Sequence, residues 1–275
     1  MKLFFSIIAL LVSSQTYTQY YFNDIVANRQ SNKQYQLLKD NKIKKIKATS
    51  YDGNNQPSEG FSLEQEFSSD YKKLTTLSTI TSGAVSILIT YYENDKVKSS
   101  HENARGVETQ TDYTYDEKGR IQIINSATTD TSVQSTSTET HIWSYNDKNQ
   151  PQLMLKIKNK KDTTYIEMIP DEFGNIGEER WKRKGAPFET YYYYYNIQSQ
   201  LTDIVRFKKR AQKLLPDFLF EYDTIGRIIQ MIQVPAVNSN YMTWKYVFNN
   251  KGLKQEEICT DRQKQIIGKI EYIYQ

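Results

Sequence analysis

The sequence predicts an all-β fold of repeated antiparallel β-hairpins, each about 26 residues long, that form a curved meander sheet with one short N-terminal helix. Three observations predict it. A turn motif recurs to the end of the 275-residue chain. Tyrosine is abundant, with 22 residues, and aromatic side chains suit a pleated, half-buried surface. Helical periodicity is scarce. Partial closure of the sheet is expected, and the pattern leaves undecided whether the sheet is open or forms a closed barrel.

The turn motif reads Tyr-x-Tyr-Asp-x-x-Gly-Arg-Ile at Tyr113–Ile121 and recurs nearly unchanged at Phe220–Ile228. Weaker copies lie between and after these two, and Gln275 stands where the next would begin. Successive copies are separated by 30, 25, 25, 27 and 26 residues, which is enough for two strands and two connections. The marked positions are Asp116, Asn146, Asp171, Asn196, Asp223 and Asn249.

The residue types of the motif predict a strand, a tight turn and a second strand. Aromatic residues at positions i and i+2 share one face of a strand. The Asp or Asn side chain can accept a hydrogen bond from the backbone two residues further on, and the Gly at the third place can adopt a left-handed conformation. Because these roles belong to the turn, they explain Asp116 and Asp223 without catalysis.

The N-terminal residues predict export. Lys2 precedes an apolar run, Leu3–Val12, which is too short to span a membrane, so residues 1–14 are interpreted as a signal peptide with a cleavage site as late as residue 18. No Cys stands directly after the run, which argues against a lipid anchor. The mature chain is therefore expected to be secreted or periplasmic, without a membrane span.

One domain is expected over residues 19–275, because no linker divides the chain. Residues 19–42 are predicted to form a helical cap, with the best amphipathic pattern at Asn23–Asp40. Degenerate hairpins are expected over 43–110, and clear repeats over 111–275. The stretch rich in Ser and Thr, Ser126–Thr140, is interpreted as a long hairpin connection inside one repeat.

The motif at Tyr113–Ile121 resembles the YD repeat of RHS-type bacterial proteins, with good coverage over 110–275 and weak coverage over 40–110. The resemblance implies an exported, β-rich protein of stacked hairpins, here a short form without a toxin domain. Large members of the family enclose a toxin, and some shorter ones are described as carbohydrate-binding. Ligand binding is thus implied by analogy of fold only.

The aromatic rows are the first candidate site. They form either the core of the curved sheet or a groove in which rings stack on a polysaccharide or another envelope component. The candidate ligand-binding residues are Tyr113, Tyr115, Trp143, Tyr145, Tyr193, Tyr195, Tyr222, Trp244 and Tyr246.

The connections opposite the Tyr-Asp turns, here called return loops, are rich in Lys and Arg. They are expected at one edge of the sheet, either as ordinary solvated hairpin tips or as a rim for an anionic partner. The rim residues are Lys182, Arg183, Lys184, Lys208, Lys209 and Arg210. Nucleic acid is not expected as a partner of an exported chain with a net charge of +4.

No catalytic, metal or cofactor site is predicted. The two histidines, His101 and His141, lack metal-ligand spacing, and His141 is expected to be packed beside Trp143. Cys259 is alone and is interpreted as a structural residue. A glycan-processing enzyme with two facing carboxylates remains an alternative.

The leading interpretation is a non-catalytic envelope binding or scaffold protein. The other alternative is an assembly partner that pairs through an exposed C-terminal edge strand at Tyr272–Gln275.

Overall fold

The computed structural model describes residues 19–79, 83–209, 211–235 and 240–275 of the chain. The expected signal peptide, residues 1–14 with cleavage as late as residue 18, lies outside these residues. The described part begins with the predicted N-terminal helix, which is π-helical over Tyr21–Ala27 and continues as α1 over Asn28–Asp40. Within the described residues no helix is long and apolar enough to cross a membrane.

All eighteen strands belong to one sheet, and each pairs antiparallel with its neighbours in sequence. The strands are β1 Lys45–Asp52, β2 Ser62–Phe67, β3 Lys73–Thr79, β4 Val85–Glu93, β5 Lys96–Ala104, β6 Val107–Tyr115, β7 Ile121–Asp130, β8 Ser135–Tyr145, β9 Pro151–Lys158, β10 Asp162–Pro170, β11 Ile176–Arg183, β12 Glu189–Tyr195, β13 Leu201–Lys208, β14 Lys213–Tyr222, β15 Ile228–Gln233, β16 Met242–Phe248, β17 Lys254–Thr260 and β18 Ile266–Tyr274.

The sheet closes into a barrel, because β18 pairs with β1 as well as with β17. The all-β hairpin repeat is confirmed, whereas a partly closed meander is wrong. Closure also corrects the expected edge at Tyr272–Gln275. Tyr272 pairs with Ala48, and the Gln275 backbone bonds Lys45 in both directions, so no free strand edge is left there.

The two ends of the barrel are built differently. The Tyr-Asp turns lie at one end, here called the turn end, and the return loops lie at the other, as an antiparallel meander requires. In the first turn the Asp116 carboxylate accepts hydrogen bonds from the backbone N–H groups of Lys118 (3.0 Å) and Arg120 (2.8 Å). The third residue after the Asp or Asn has a positive φ in every copy. This includes Asn149 (64°) and Ser199 (56°), which stand where Gly was predicted.

The degenerate copies depart from this pattern. The Asp52 side chain accepts hydrogen bonds in the same way from the backbone N–H groups of Asn54 and Gln56 (both 2.9 Å), but its turn follows β1 and therefore lies at the return-loop end.

The Ser126–Thr140 stretch was expected to be a long connection and is mostly strand, since β7 and β8 continue through it with paired registers and leave only a short turn. Thr, which is β-branched, has a high β propensity and favours the extension of these paired strands.

Where a tyrosine stands immediately before the Asp, Asn or Gln of the motif, it joins neighbouring strands. Its hydroxyl donates to a backbone carbonyl at the start of the preceding strand, next to it in the sheet. These bonds run from Tyr115 to Val97 (2.8 Å), Tyr145 to Ile121 (2.6 Å), Tyr195 to Ile176 (2.9 Å), Tyr222 to Leu201 (2.6 Å) and Tyr274 to Lys254 (2.6 Å). The recurrence of Tyr before Asp or Asn thus has a structural cause: its aromatic ring lies inside the barrel and its hydroxyl satisfies a carbonyl.

Alternate residues of each strand face the interior, as in barrels generally. The N-terminal helix occupies part of this interior. Tyr20 and Ile25 belong to a core cluster with side chains of β7 to β14, including Trp143, Tyr193 and Phe218. Tyr35 and Leu38 of α1 pack in a second cluster near the turn end, where the Tyr35 and Tyr92 rings stack at 3.8 Å.

Candidate functional site in the barrel interior

The predicted aromatic residues all lie on the inner face of the barrel. Trp143, Tyr193, Trp244 and Tyr246 are buried. The other five, Tyr113, Tyr115, Tyr145, Tyr195 and Tyr222, are partly buried and pack against the first core cluster. Seven of the nine therefore line the core around the N-terminal helix, whereas Trp244 and Tyr246 pack in a third cluster with Cys259. The rows are not brought together as an open groove. Ligand binding by these residues stays a prediction.

Glu179 of β11 anchors the start of the N-terminal helix. Its fully buried carboxylate accepts the backbone N–H groups of Tyr20 (3.0 Å) and Tyr21 (2.9 Å), which have no partner within the helix. The indole N–H of Trp181 and the hydroxyl of Tyr193 complete its contacts, each at 2.6 Å. Burial raises the pKa of Glu179 to about 7, and these four hydrogen bonds oppose the rise.

His141 of β8 binds the side of the same helix. Its Nδ1 lies 2.7 Å from the Asp24 carboxylate and its Nε2 lies 2.8 Å from Glu139. Asp24 also accepts the indole N–H of Trp143 at 3.0 Å. Burial by itself lowers the pKa of His141, but the two carboxylates outweigh it and raise the pKa to about 9. The ring is therefore charged at neutral pH and donates to both carboxylates.

Glu139 extends this network along the inner wall. Burial raises its pKa, but hydrogen bonds from His141 and Lys156 outweigh burial and lower the pKa to about 2. Lys156 of β9 lies 2.9 Å from Glu139 and also bonds the Tyr20 hydroxyl. The packed histidine predicted from sequence is thus part of a buried ion-pair network that holds the helix.

Asp217 of β14 forms a third anchor. It accepts the side-chain amide of Gln19 at 2.9 Å, lies 2.9 Å from Arg206 Nε and pairs with Lys208. Three buried carboxylates therefore join the helical segment to the barrel wall. Asp24 lies in the helix and contacts the wall, whereas Glu179 and Asp217 lie in the wall and contact the helical segment.

The six rim residues divide into three groups. Arg183, Lys184 and Lys209 are exposed at the return-loop end, as predicted. Lys182 is on the outer face and pairs with Glu167, and Lys208 points inward to Asp217. Arg210 lies outside the described residues. A contact between this rim and an anionic partner stays a prediction.

Cys259 is fully buried, and burial raises the pKa of its thiol to about 12, which disfavours the reactive thiolate. Among the described residues, no group of three or more His, Cys, Asp and Glu side chains could hold a metal ion.

A polar part of the inner wall lies on β5, β6 and β7 towards the return-loop end. Its residues are here called the polar wall and are Ser100, Glu102, Thr109, Thr111, Ser126 and Thr128. Their inward direction follows from the registers, since Thr111 pairs with Ser126 and is two residues from the inward Tyr113. All six are partly exposed. Because their strands are paired on both sides, that exposure is to the barrel interior.

Sequence reasoning missed the charged anchors. Asp24 lies within an aromatic helical stretch, and Glu179 is two residues from Trp181 on the same strand. An acidic residue at a position expected to face the core was therefore the signal that could have identified each of them. The partners lie 117 residues apart for Asp24 and His141, and only the barrel topology brings them together.

No family model and no curated protein matches this sequence. Among solved structures, the chain is similar to a porin-like protein from Bacteroides uniformis, with 10% identity over 85% of this chain and 96% of that chain and a TM-score of 0.41. The chain is also similar to a porin-like protein from Bacteroides vulgatus, with 11% identity over 85% of this chain and 98% of that chain and a TM-score of 0.31. Similarity to the Photorhabdus luminescens Tc holotoxin pore has 9% identity over 78% of this chain and 16% of that chain, with a TM-score of 0.23.

These likenesses assign neither a family nor a function. The architecture itself defines a class: a closed, antiparallel 18-stranded barrel that holds its own N-terminal helix inside.

Proposed function

We propose that this chain is a non-catalytic, exported binding or scaffold protein of the bacterial cell envelope, with a glycan as its ligand. The observation that carries the proposal is the contrast between two parts of the interior. The helical segment and aromatic side chains fill the turn end and, beside β8 to β14, extend towards the return-loop end, where Gln19 bonds Asp217. Beside β5 to β7, towards the return-loop end, a partly exposed polar wall remains, and exposed basic residues lie at that end of the barrel.

The buried carboxylates favour a non-catalytic role. Glu179 and Asp217 are bound by donors from the N-terminal helical segment and the barrel wall, and Glu257 is bound by Tyr272 (2.7 Å) and Lys254 (2.6 Å). A glycosidase instead needs two carboxylates that face a substrate across about 5–9.5 Å. These carboxylates act as anchors of the fold.

The hairpin repeat supports kinship with YD-repeat proteins. Each copy has a positive φ at the third residue after the Asp or Asn. In five of the six copies the Asp or Asn side-chain oxygen accepts two backbone N–H groups, and in the Asn146 copy it accepts that of Gln150. An exported protein related to that family, binding a glycan rather than enclosing a toxin, is consistent with both the repeat and the filled part of the interior.

Binding of the purified protein to an array of neutral and anionic glycans tests the proposal. We expect a subset of glycans to be retained, and the absence of binding to every glycan would contradict the function. Lys184→Glu together with Lys209→Glu is expected to weaken the binding of anionic glycans at the return-loop end. Lys118→Glu together with Lys148→Glu at the turn end is the matched control, with the same change of net charge.

A further inference from the structure

We propose that the polar wall is a binding site for a neutral saccharide, entered from the return-loop end and centred on Glu102. This inference rests on the proposed glycan binding and names its location. It differs from the aromatic rows and the basic rim, because none of the six residues belongs to either set.

The wall presents oxygen atoms in a regular array. Adjacent hydroxyls bond each other across the strands, Thr111 with Ser126 at 3.0 Å and Thr109 with Thr128 at 3.2 Å. A hydroxyl carries one donor and two acceptor sites, so each pair keeps capacity for a ligand. Along a strand the inward positions repeat every ~6.8 Å, and neighbouring strands lie ~4.8 Å apart.

Glu102 is the one carboxylate of the wall. It lies between Leu88 on β4 and Thr109 on β6, and its side chain accepts the Ser86 hydroxyl at 3.2 Å. No ion pair with Glu102 is formed within the described residues. Burial raises its pKa. A half-buried carboxylate with one hydroxyl donor can accept further donors, and the hydroxyl groups of a sugar supply them.

The composition of the wall selects the ligand class. It contains a carboxylate and no basic side chain, so an anion is disfavoured. A metal ion is also disfavoured, since within the described residues no group of His, Cys, Asp and Glu could hold one. A saccharide offers donors to Glu102 and both donors and acceptors to the hydroxyls. Tyr113, next on the same face of β6, places a partly buried ring at the inner limit of the site.

Accessibility is tested first, because it requires no ligand. In the full mature chain, Thr111→Cys introduces a thiol into the wall, and Thr114→Cys introduces one on the outer face of the same strand. The native Cys259 is buried and contributes little background. We expect a maleimide to label both variants while circular dichroism shows an unchanged fold. Labelling at position 114 without labelling at 111 would overturn the site, whatever the protein binds.

Binding is tested with soluble oligosaccharides of glucose, mannose and N-acetylglucosamine, measured by calorimetry. We expect at least one to bind, with affinity reduced about tenfold or more by Glu102→Gln, a loss typical of a charge-assisted hydrogen bond. Glu108→Gln, on the outer face of β6, is the matched control and is expected to bind normally.

The outcomes are distinguishable. Binding that Glu102→Gln leaves unchanged would overturn this site and leave the proposed glycan function standing. Binding of anionic glycans alone, unchanged by Glu102→Gln and lost with the exposed basic residues, would likewise place the ligand elsewhere. No binding of any glycan would overturn both proposals.

Discussion

At the scale of single residues, the tyrosine before most of the turns shows how a motif can recur within a chain for structural reasons. Its ring packs in the interior and its hydroxyl satisfies a carbonyl of the adjacent strand. Phe248 occupies this place in the sixth copy and lacks the hydroxyl. The Tyr-Asp motif is therefore mainly a device for joining strands and reversing the chain.

The hydroxyl bond is tested by exchanging Tyr and Phe. Tyr145→Phe is expected to lower the free energy of unfolding by about 1 kcal/mol, because the Ile121 carbonyl loses its donor. The converse change, Phe248→Tyr, directs a hydroxyl towards Ile228, the first residue of β15, and should raise the free energy by up to about 1 kcal/mol. Urea unfolding measures both, and equal effects in the same direction would contradict the interpretation.

The third turn position provides a second test. Ser199 has φ of 56°, a left-handed conformation that costs a residue with a side chain about 1 kcal/mol relative to Gly. Ser199→Gly is therefore expected to stabilise the protein by roughly that amount. Ser199→Ala serves as the control, since it removes the hydroxyl without relieving the backbone. Thermal unfolding that ranks Ala above Gly would contradict this account.

His141 predicts a pH dependence. Its pKa of about 9 in the folded protein exceeds the ordinary value of 6.5, so the charged form stabilises the fold. This contribution is fully present below pH 6.5 and is lost as the pH rises through 9. It amounts to about 3 kcal/mol at most, at about 1.4 kcal/mol per pKa unit.

The measurement is urea unfolding at intervals across that range. The native protein should lose stability as the pH rises, and His141→Gln should remove most of the slope. His101→Gln, on the outer face of β5, is the control and should retain it. A slope that survives in His141→Gln would show that other groups cause it.

At the scale of elements, the N-terminal helix depends on the barrel for its start. Its first N–H groups are satisfied by Glu179 and not by a cap of its own. Glu179→Ala is expected to destabilise the protein by roughly 3 kcal/mol, because buried N–H groups lose their acceptor and a cavity forms. Hydrogen exchange of residues 20–27 should accelerate strongly.

The adjacent Glu178→Ala is the control for that experiment. Glu178 is on the outer face, where it pairs with Arg180 at 2.6 Å, and a surface pair of this kind contributes little. We expect its loss to leave exchange in the helix unchanged. Equal acceleration in both variants would contradict the anchoring role of Glu179.

The elements were largely predictable, because their signals are local. The alternation of aromatic residues marks the inner face, and the Asp or Asn with a left-handed third residue marks each turn. The Ser- and Thr-rich parts of strands β7 and β8 were not predictable, since their pairing depends on the neighbouring strands rather than on hydrophobic residues. The contacts of Glu179 and Asp24 were also inaccessible, because they join residues more than a hundred positions apart.

At the scale of the whole molecule, closure depends on one non-local pairing. β1 and β18 are joined over seven residue pairs, from Ile46–Tyr274 to Asp52–Gly268. No local pattern in the sequence distinguishes these strands from the edges of an open sheet. Closure defines the candidate site, since it separates an enclosed interior from an outer surface. A ligand of the polar wall therefore has to enter through the return-loop end.

A disulfide across this seam tests closure most directly. Thr49 and Glu271 are paired neighbours on the outer face, and paired Cα atoms in antiparallel strands lie about 4.5–5.5 Å apart, within the range of a disulfide. In a Cys259→Ala background, Thr49→Cys with Glu271→Cys is expected to oxidise within the monomer, as seen by mass spectrometry. Thr49→Cys with Asn125→Cys, a pair in separate parts of the outer face, should remain reduced. Failure of the first pair to form a disulfide in the folded protein would contradict the closed barrel.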